Sequence, residues 1–116
     1  RENMNVQLPC LKTKEKVDEV ILNVIDKVLV LRFGRSNDPE CVRLDDILAK
    51  TQHQLSKMAE IFTVDADSVP EYVKYFDITL IPATLFFFNA VHMKCDWGTP
   101  DHTKWIGCFF SKQDFI

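Results

Sequence analysis

Val28-Leu29-Val30-Leu31-Arg32-Phe33-Gly34-Arg35-Ser36-Asn37-Asp38-Pro39-Glu40-Cys41 is the stretch that decides the fold. Its first six residues are β-favouring and apolar at consecutive positions, not alternate ones. That pattern suits a central strand covered on both faces. Gly34 ends the run. Asp38-Pro39-Glu40 then reads as a helix start: the aspartate can cap, proline fits the first helical position, and glutamate suits the positive end of the helix dipole. A buried strand leading through a short loop into a well-capped helix is one unit of an α/β layer domain.

The neighbours on both sides extend this unit. Upstream, Val17, Val20, Ile21, Val24 and Ile25 fall at the spacing of an amphipathic helix, with Thr13 as N-cap and Glu15 in the first turn. Residues 1–12 read as an extended N-terminal segment. Downstream, Leu44, Ile47, Leu48 and Leu55 give the capped helix its apolar face. Ile61-Phe62-Thr63-Val64 reads as a second central strand, and Ser68-Val69-Pro70 opens a short helix to about Phe76. Thr84 to Phe88 and Val91 to Trp97 read as strands joined by a hairpin turn at Asn89-Ala90. Gly98-Thr99-Pro100-Asp101 is a loop, and Ser111-x-x-Asp114 begins a further helix cut at Ile116. Helix, strand, helix, strand, helix and hairpin together predict a single α/β domain over 1–116, with a central mixed sheet flanked by helices.

Bulk properties narrow the function. The 116 residues carry a formal charge of -3 with acids and bases interspersed, so no basic stripe tracks phosphates and direct nucleic-acid binding is not expected. The longest apolar stretch, Leu80 to Phe88, contains Pro82 and is too short to cross a bilayer. No secretory signal is visible near the N-terminus. Cys10, Cys41, Cys95 and Cys108 are widely spaced with no C-x-x-C pair, as expected for reduced thiols. Glycine-rich phosphate loops and a G-x-S-x-G context are absent. His92-x-x-Cys95, with His102 and Cys108, lacks the paired spacings of a zinc site, and residues three apart on a strand face opposite ways. Phe86-Phe87-Phe88 lacks the interleaved basic residues of an RNA-stacking platform and reads as core. No metal and no cofactor is expected.

The order of elements resembles the thioredoxin fold. Asp38-Pro39-Glu40-Cys41 lies where thioredoxins carry C-G-P-C, and Ile81-Pro82-Ala83-Thr84 is similar to the I-P-x-T segment that carries their cis-proline. The resemblance narrows with Leu31-Arg32-Phe33-Gly34-Arg35, Asp38-Pro39-x-Cys41, Leu44-Asp45-Asp46-Ile47-Leu48, Tyr75-Phe76-Asp77-Ile78 and Phe86-Phe87-Phe88-Asn89. Together these are similar to the DIM family of thioredoxin-like spliceosomal proteins, from Met4 to Ile116. Ser56-Lys57-Met58-Ala59 and Gly98-x-Pro100-Asp101-His102-Thr103-Lys104 match one branch of it best. The resemblance implies a nuclear factor for pre-mRNA splicing and cell-cycle progression. It also implies binding to tri-snRNP proteins, including pre-mRNA-processing factor six, and homodimer formation. By the same resemblance Arg1-Glu2-Asn3 stand upstream of the usual start, and the family's final helix and basic tail are missing. Either a truncated piece of a longer chain or a chain only marginally stable alone is expected, with apolar surface exposed around Phe109 and Phe110 if those face the missing helix.

Within that resemblance the dithiol reaction lacks its parts. Exchange needs an attacking thiolate and a resolving thiol. Asp38 occupies the attacking position, Arg32 replaces a buried acid, and Asn37 replaces a flanking tryptophan. Arginine stays protonated and cannot accept a proton. Only Cys41 remains, either as a small buried thiol behind a helix cap or as a single reactive cysteine, a mono-thiol redox sensor or oxidoreductase, favoured by the helix N-terminus. A buried Arg32 would need an acid, with Asp65 and Asp67 as candidates. Phe76 reads as core. Trp97 and Trp105 are candidate partner-binding aromatics or core residues, because aromatics are enriched both in interiors and at interface hot spots.

Overall fold

The computed structural model describes residues 8–93 and the backbone of Trp105–Ile106. In chain order these form β1 (Cys10–Leu11), α1 (Lys14–Asn23), β2 (Val28–Gly34), α2 (Pro39–Leu55), β3 (Ala59–Asp65), α3 (Pro70–Tyr75), β4 (Ala83–Phe88), β5 (Val91–His92) and β6 (Trp105–Ile106). The described strands make one mixed sheet of order β1-β3-β2-β4-β5, with β6 paired to β4. β1 and β2 run parallel to β3, whereas β4 runs antiparallel to β2. The second half of the expected strand to Trp97, the loop at 98–101 and the helix start at Ser111 lie outside the described residues.

Strand parity assigns the two faces. Leu29, Leu31 and Phe33 project to one side, where they meet Val17 of α1, Val69, Ile78, Leu85 and Phe87 in one core. Val30 projects to the other and joins Leu44, Leu48 and Ile61 in a second core under α2. Each face of β2 therefore has its own layer. This explains why its apolar residues are consecutive.

Both main helices begin where their caps stand. Thr13 accepts a hydrogen bond from the Lys16 N–H, and Asp38 accepts from the N–H groups of Glu40 and Cys41, with Pro39 in the first turn. The end of α1 differs from the expectation. The apolar spacing runs on to Val24 and Ile25, but the helix stops at Asn23 and Ile25 is 62% exposed. Asp26 adopts φ 62°, turning the chain toward β2, and its N–H donates to Asn89 Oδ1 at 2.7 Å. A contact from the distant hairpin thus ends a helix whose periodicity would continue.

That hairpin turns at Asn89 and Ala90, with φ of 49° and 69°. Both central residues are left-handed, as a tight two-residue turn between twisted strands requires. For Ala90 this conformation costs about 1–2 kcal/mol.

Candidate functional site

The corner between β2 and α2 holds the residues singled out in the sequence. The Asp38 carboxylate is committed to the helix end: Oδ1 accepts from Glu40 N–H at 2.9 Å and from Cys41 N–H at 3.2 Å. Asp38 thus serves as the N-cap of α2. Cys41 follows in the first turn with no exposed surface. Its Sγ accepts a hydrogen bond from the Arg35 N–H at 3.4 Å. Burial pushes the Cys41 thiol up, against the opposing pull of that N–H and of the Arg32 charge. A reactive thiolate needs a lowered pKa and access. Cys41 is buried and its pKa is pushed up, so of the two readings the geometry favours the small buried thiol behind a helix cap over the single reactive cysteine.

Gly34 fits this corner because it has no side chain. A Cβ there would lie 2.4 Å from Cys41 Sγ and 2.6 Å from Arg32 Nη1. Arg32 lies across this space, 3% exposed. Its Nε and Nη2 donate to the two carboxylate oxygens of Asp45, both at 2.7 Å, in a two-pronged pair. The expected partners, Asp65 and Asp67, are otherwise engaged. Asp65 accepts from the Asp67 N–H and the Ser68 hydroxyl, and Asp67 pairs with Arg35. Parity held the missing signal. Arg32 shares a face with Val30, which α2 covers, and Asp45 stands one turn beyond the buried Cys41 on that helix.

Arg32 is the middle of a polar row. It lies in register with Thr63 of β3 on one side and Thr84 of β4 on the other, and all three are buried. Thr63 donates to the Pro9 carbonyl, while the Thr84 hydroxyl is buried with no hydrogen-bond partner among the described residues. The Ile81–Pro82 peptide bond beside this row is cis. A groove of about 630 Å³ opens between α2 and the β1 edge, with Arg32, Asp45, Thr63, Gly34 and Cys10 on its walls. Its central charges neutralise one another.

The aromatic candidates separate. Phe76 packs edge-on against Phe33 and Phe87, with ring centroids 6.2 and 5.9 Å apart, as a half-buried residue laid against the core. Tyr75 is 76% exposed. His92 stacks on Phe87 at 5.2 Å. Trp105 is placed only through its backbone, in register with Thr84 on the outer side of β4. Trp97 lies outside the described residues, as do Cys95, His102, Cys108, Phe109 and Phe110. Among the described residues no group of three or more His, Cys, Asp or Glu side chains could hold a metal ion.

A parallel–antiparallel sheet in this order, with a helix-capping corner and a cis-proline segment facing the same strand end, defines a thioredoxin-fold protein. A solved thioredoxin of Fasciola hepatica superposes with a TM-score of 0.75, covering 93% of this chain and 92% of its own, at 14% identity. At that identity the likeness concerns the fold alone. The chain belongs to the family described as Mitosis protein DIM1, which it matches over residues 7–116. It is 58% identical over 113 residues to Thioredoxin-like protein 4B of Mus musculus, covering 97% of this chain and 76% of that protein. It is 32% identical over 112 residues to Spliceosomal protein DIB1 of Saccharomyces cerevisiae, covering 97% and 78%.

Proposed function

We propose that this chain is a non-catalytic interaction factor of the pre-mRNA splicing machinery, tied to cell-cycle progression and acting in the nucleus as a single thioredoxin-like domain. The names of its relatives and of its family support the splicing and mitotic setting. One observation carries the non-catalytic part. Asp38, at the position the resemblance assigns to the attacking cysteine, is spent on a helix cap, and the Cys41 thiol behind it is sealed from solvent. A carboxylate cannot form a mixed disulfide, and a thiol held protonated and buried exchanges slowly.

The finer expectations belong to the same reading: binding to tri-snRNP proteins, with pre-mRNA-processing factor six as the partner to test first, and homodimer formation. Trp97 and Trp105 are the aromatics to test at such contacts. The test is co-precipitation of the chain with tri-snRNP proteins at native expression levels, together with an insulin-reduction assay. Recovery of those proteins without insulin turnover is the expected outcome. Turnover that disappears in Cys41→Ser would overturn the non-catalytic reading, and failure to recover any tri-snRNP protein would overturn the splicing assignment.

A further inference from the structure

Parallel pairing of β1 with β3 stops short of the start of β3. Cys10 and Leu11 stand opposite Thr63 and Val64, and the Thr63 N–H donates to the Pro9 carbonyl at 2.9 Å. Two residues further back, the Ile61 N–H and the Ala59 carbonyl point to the same outer side, because every second residue of a strand does. No backbone among the described residues meets them. Their partner is one side chain from α2: Gln52 Oε1 accepts from the Ile61 N–H at 2.6 Å, and Gln52 Nε2 donates to the Ala59 carbonyl at 2.9 Å. In a parallel ladder, one residue of the neighbouring strand bonds both of these groups with its own N–H and C=O. The Gln52 carboxamide is chemically the same pair, a carbonyl and an N–H in one plane. It therefore occupies the next rung of the ladder.

We infer that Gln52 is an intramolecular guard, closing the outer edge of β3 against pairing with the same edge of a second copy of this chain. Unpaired strand edges are templates for addition of another strand, and proteins cover them to stay apart. Here the cover is a single flexible side chain anchored on α2. The flank of β3 facing α1 gives an incoming strand something to rest on. Val20, Val24, Ile25 and Phe62, with Glu19 and Glu60, line a groove of about 260 Å³ there, and Ile25 is largely exposed. Displacing Gln52 would expose a donor, an acceptor and this apolar flank together. The guard is a feature of this sheet edge and stands whether or not the splicing reading holds.

Gln52→Ala and Gln52→Glu variants of the full chain test it, each compared with the native chain by amide hydrogen exchange and by sedimentation across a range of concentrations. In Gln52→Ala the Ile61 amide should exchange at least tenfold faster, and the chain should associate beyond the native state as concentration rises. Gln52→Glu places two negative charges face to face across the paired edges and should not associate further. Unchanged exchange at Ile61 overturns the inference, as does a Gln52→Ala chain that stays in the native association state. Equal association of both variants, or loss of the native far-ultraviolet spectrum in both, also overturns it. Either result would make Gln52 a general stabiliser of α2 on β3. Gln52→Asn, which keeps the amide but is one methylene too short to span both groups, should behave as Gln52→Ala if the guard is specific.

Discussion

Arg32 and Asp45 form the two-pronged ion pair under α2. The arginine is buried and its carboxylate partner remains 30% exposed, so the pair is only partly desolvated. Removing one partner of a buried ion pair costs about 3–5 kcal/mol, because the other charge is left uncompensated. Asp45→Ala should therefore lower stability by about 3 kcal/mol, the small end of that range, since water reaches the site from the aspartate side. Urea unfolding midpoints of the native chain, Asp45→Ala and the double variant Arg32→Met/Asp45→Leu would show it. The double variant should recover most of the loss. Cys41 makes a separate statement at the same scale. Its thiol is buried and its pKa is raised by that burial, so a thiol reagent should label Cys10, which is exposed, well before Cys41 in the native chain. Labelling of both at one rate, followed by mass spectrometry, would contradict the buried site.

At the scale of elements, ends and connections carry the energetics. Asp38 serves two N–H groups of α2, and Asp38→Ala should cost about 1 kcal/mol, within the range for a lost N-cap. Ala90 sits at φ 69°, where glycine is at ease. Ala90→Gly should raise stability by about 1 kcal/mol, read as a thermal midpoint several degrees higher. Helices α1 and α3 are joined by a polar tie: the Tyr72 hydroxyl donates to Asp18, and Lys14 Nζ lies 2.7 Å from the same carboxylate. The Lys14 hydrogen bond, and then that from Tyr72, hold the Asp18 pKa below its ordinary value. Such a carboxylate adds stability at neutral pH, and that share is lost as pH falls below its unfolded value and through the folded one. Burial, then the Asp18 bond, pushes Tyr72 up to about 12. Its share is present below the unfolded value near 10 and is lost as pH rises toward 12. Asp18→Asn should flatten the acid limb of a stability–pH curve while leaving far-ultraviolet signal intact, and a parallel curve for both chains would refute the tie.

Across the whole molecule, what the sequence disclosed was whatever depends on local pattern. Consecutive apolar residues in β2 announced a strand covered twice, and two separate cores confirm it. Asp38-Pro39-Glu40 announced the start of α2. Long-range partnerships stayed hidden, because nothing in residues 17–25 shows that Asn89 will hold Asp26 and end α1 at Asn23. The partner of Arg32 was concealed for the same reason, although strand parity restricts the search to acids on the helix that covers the Val30 face. The edge guard at Gln52 left no trace, since a glutamine inside an amphipathic helix looks like any solvated residue.

The position of β2 in the middle of the sheet also sets a timetable for synthesis. Val28 pairs with Ala59 on one side and with Phe88 on the other. During translation the earlier-made strand must wait for partners emerging some thirty and sixty residues later. At ribosomal speeds of 5–20 residues per second that is about 3–12 s for the second neighbour. A newborn chain thus carries this apolar segment without its second strand partner for seconds, which makes it a natural target for a cotranslational chaperone.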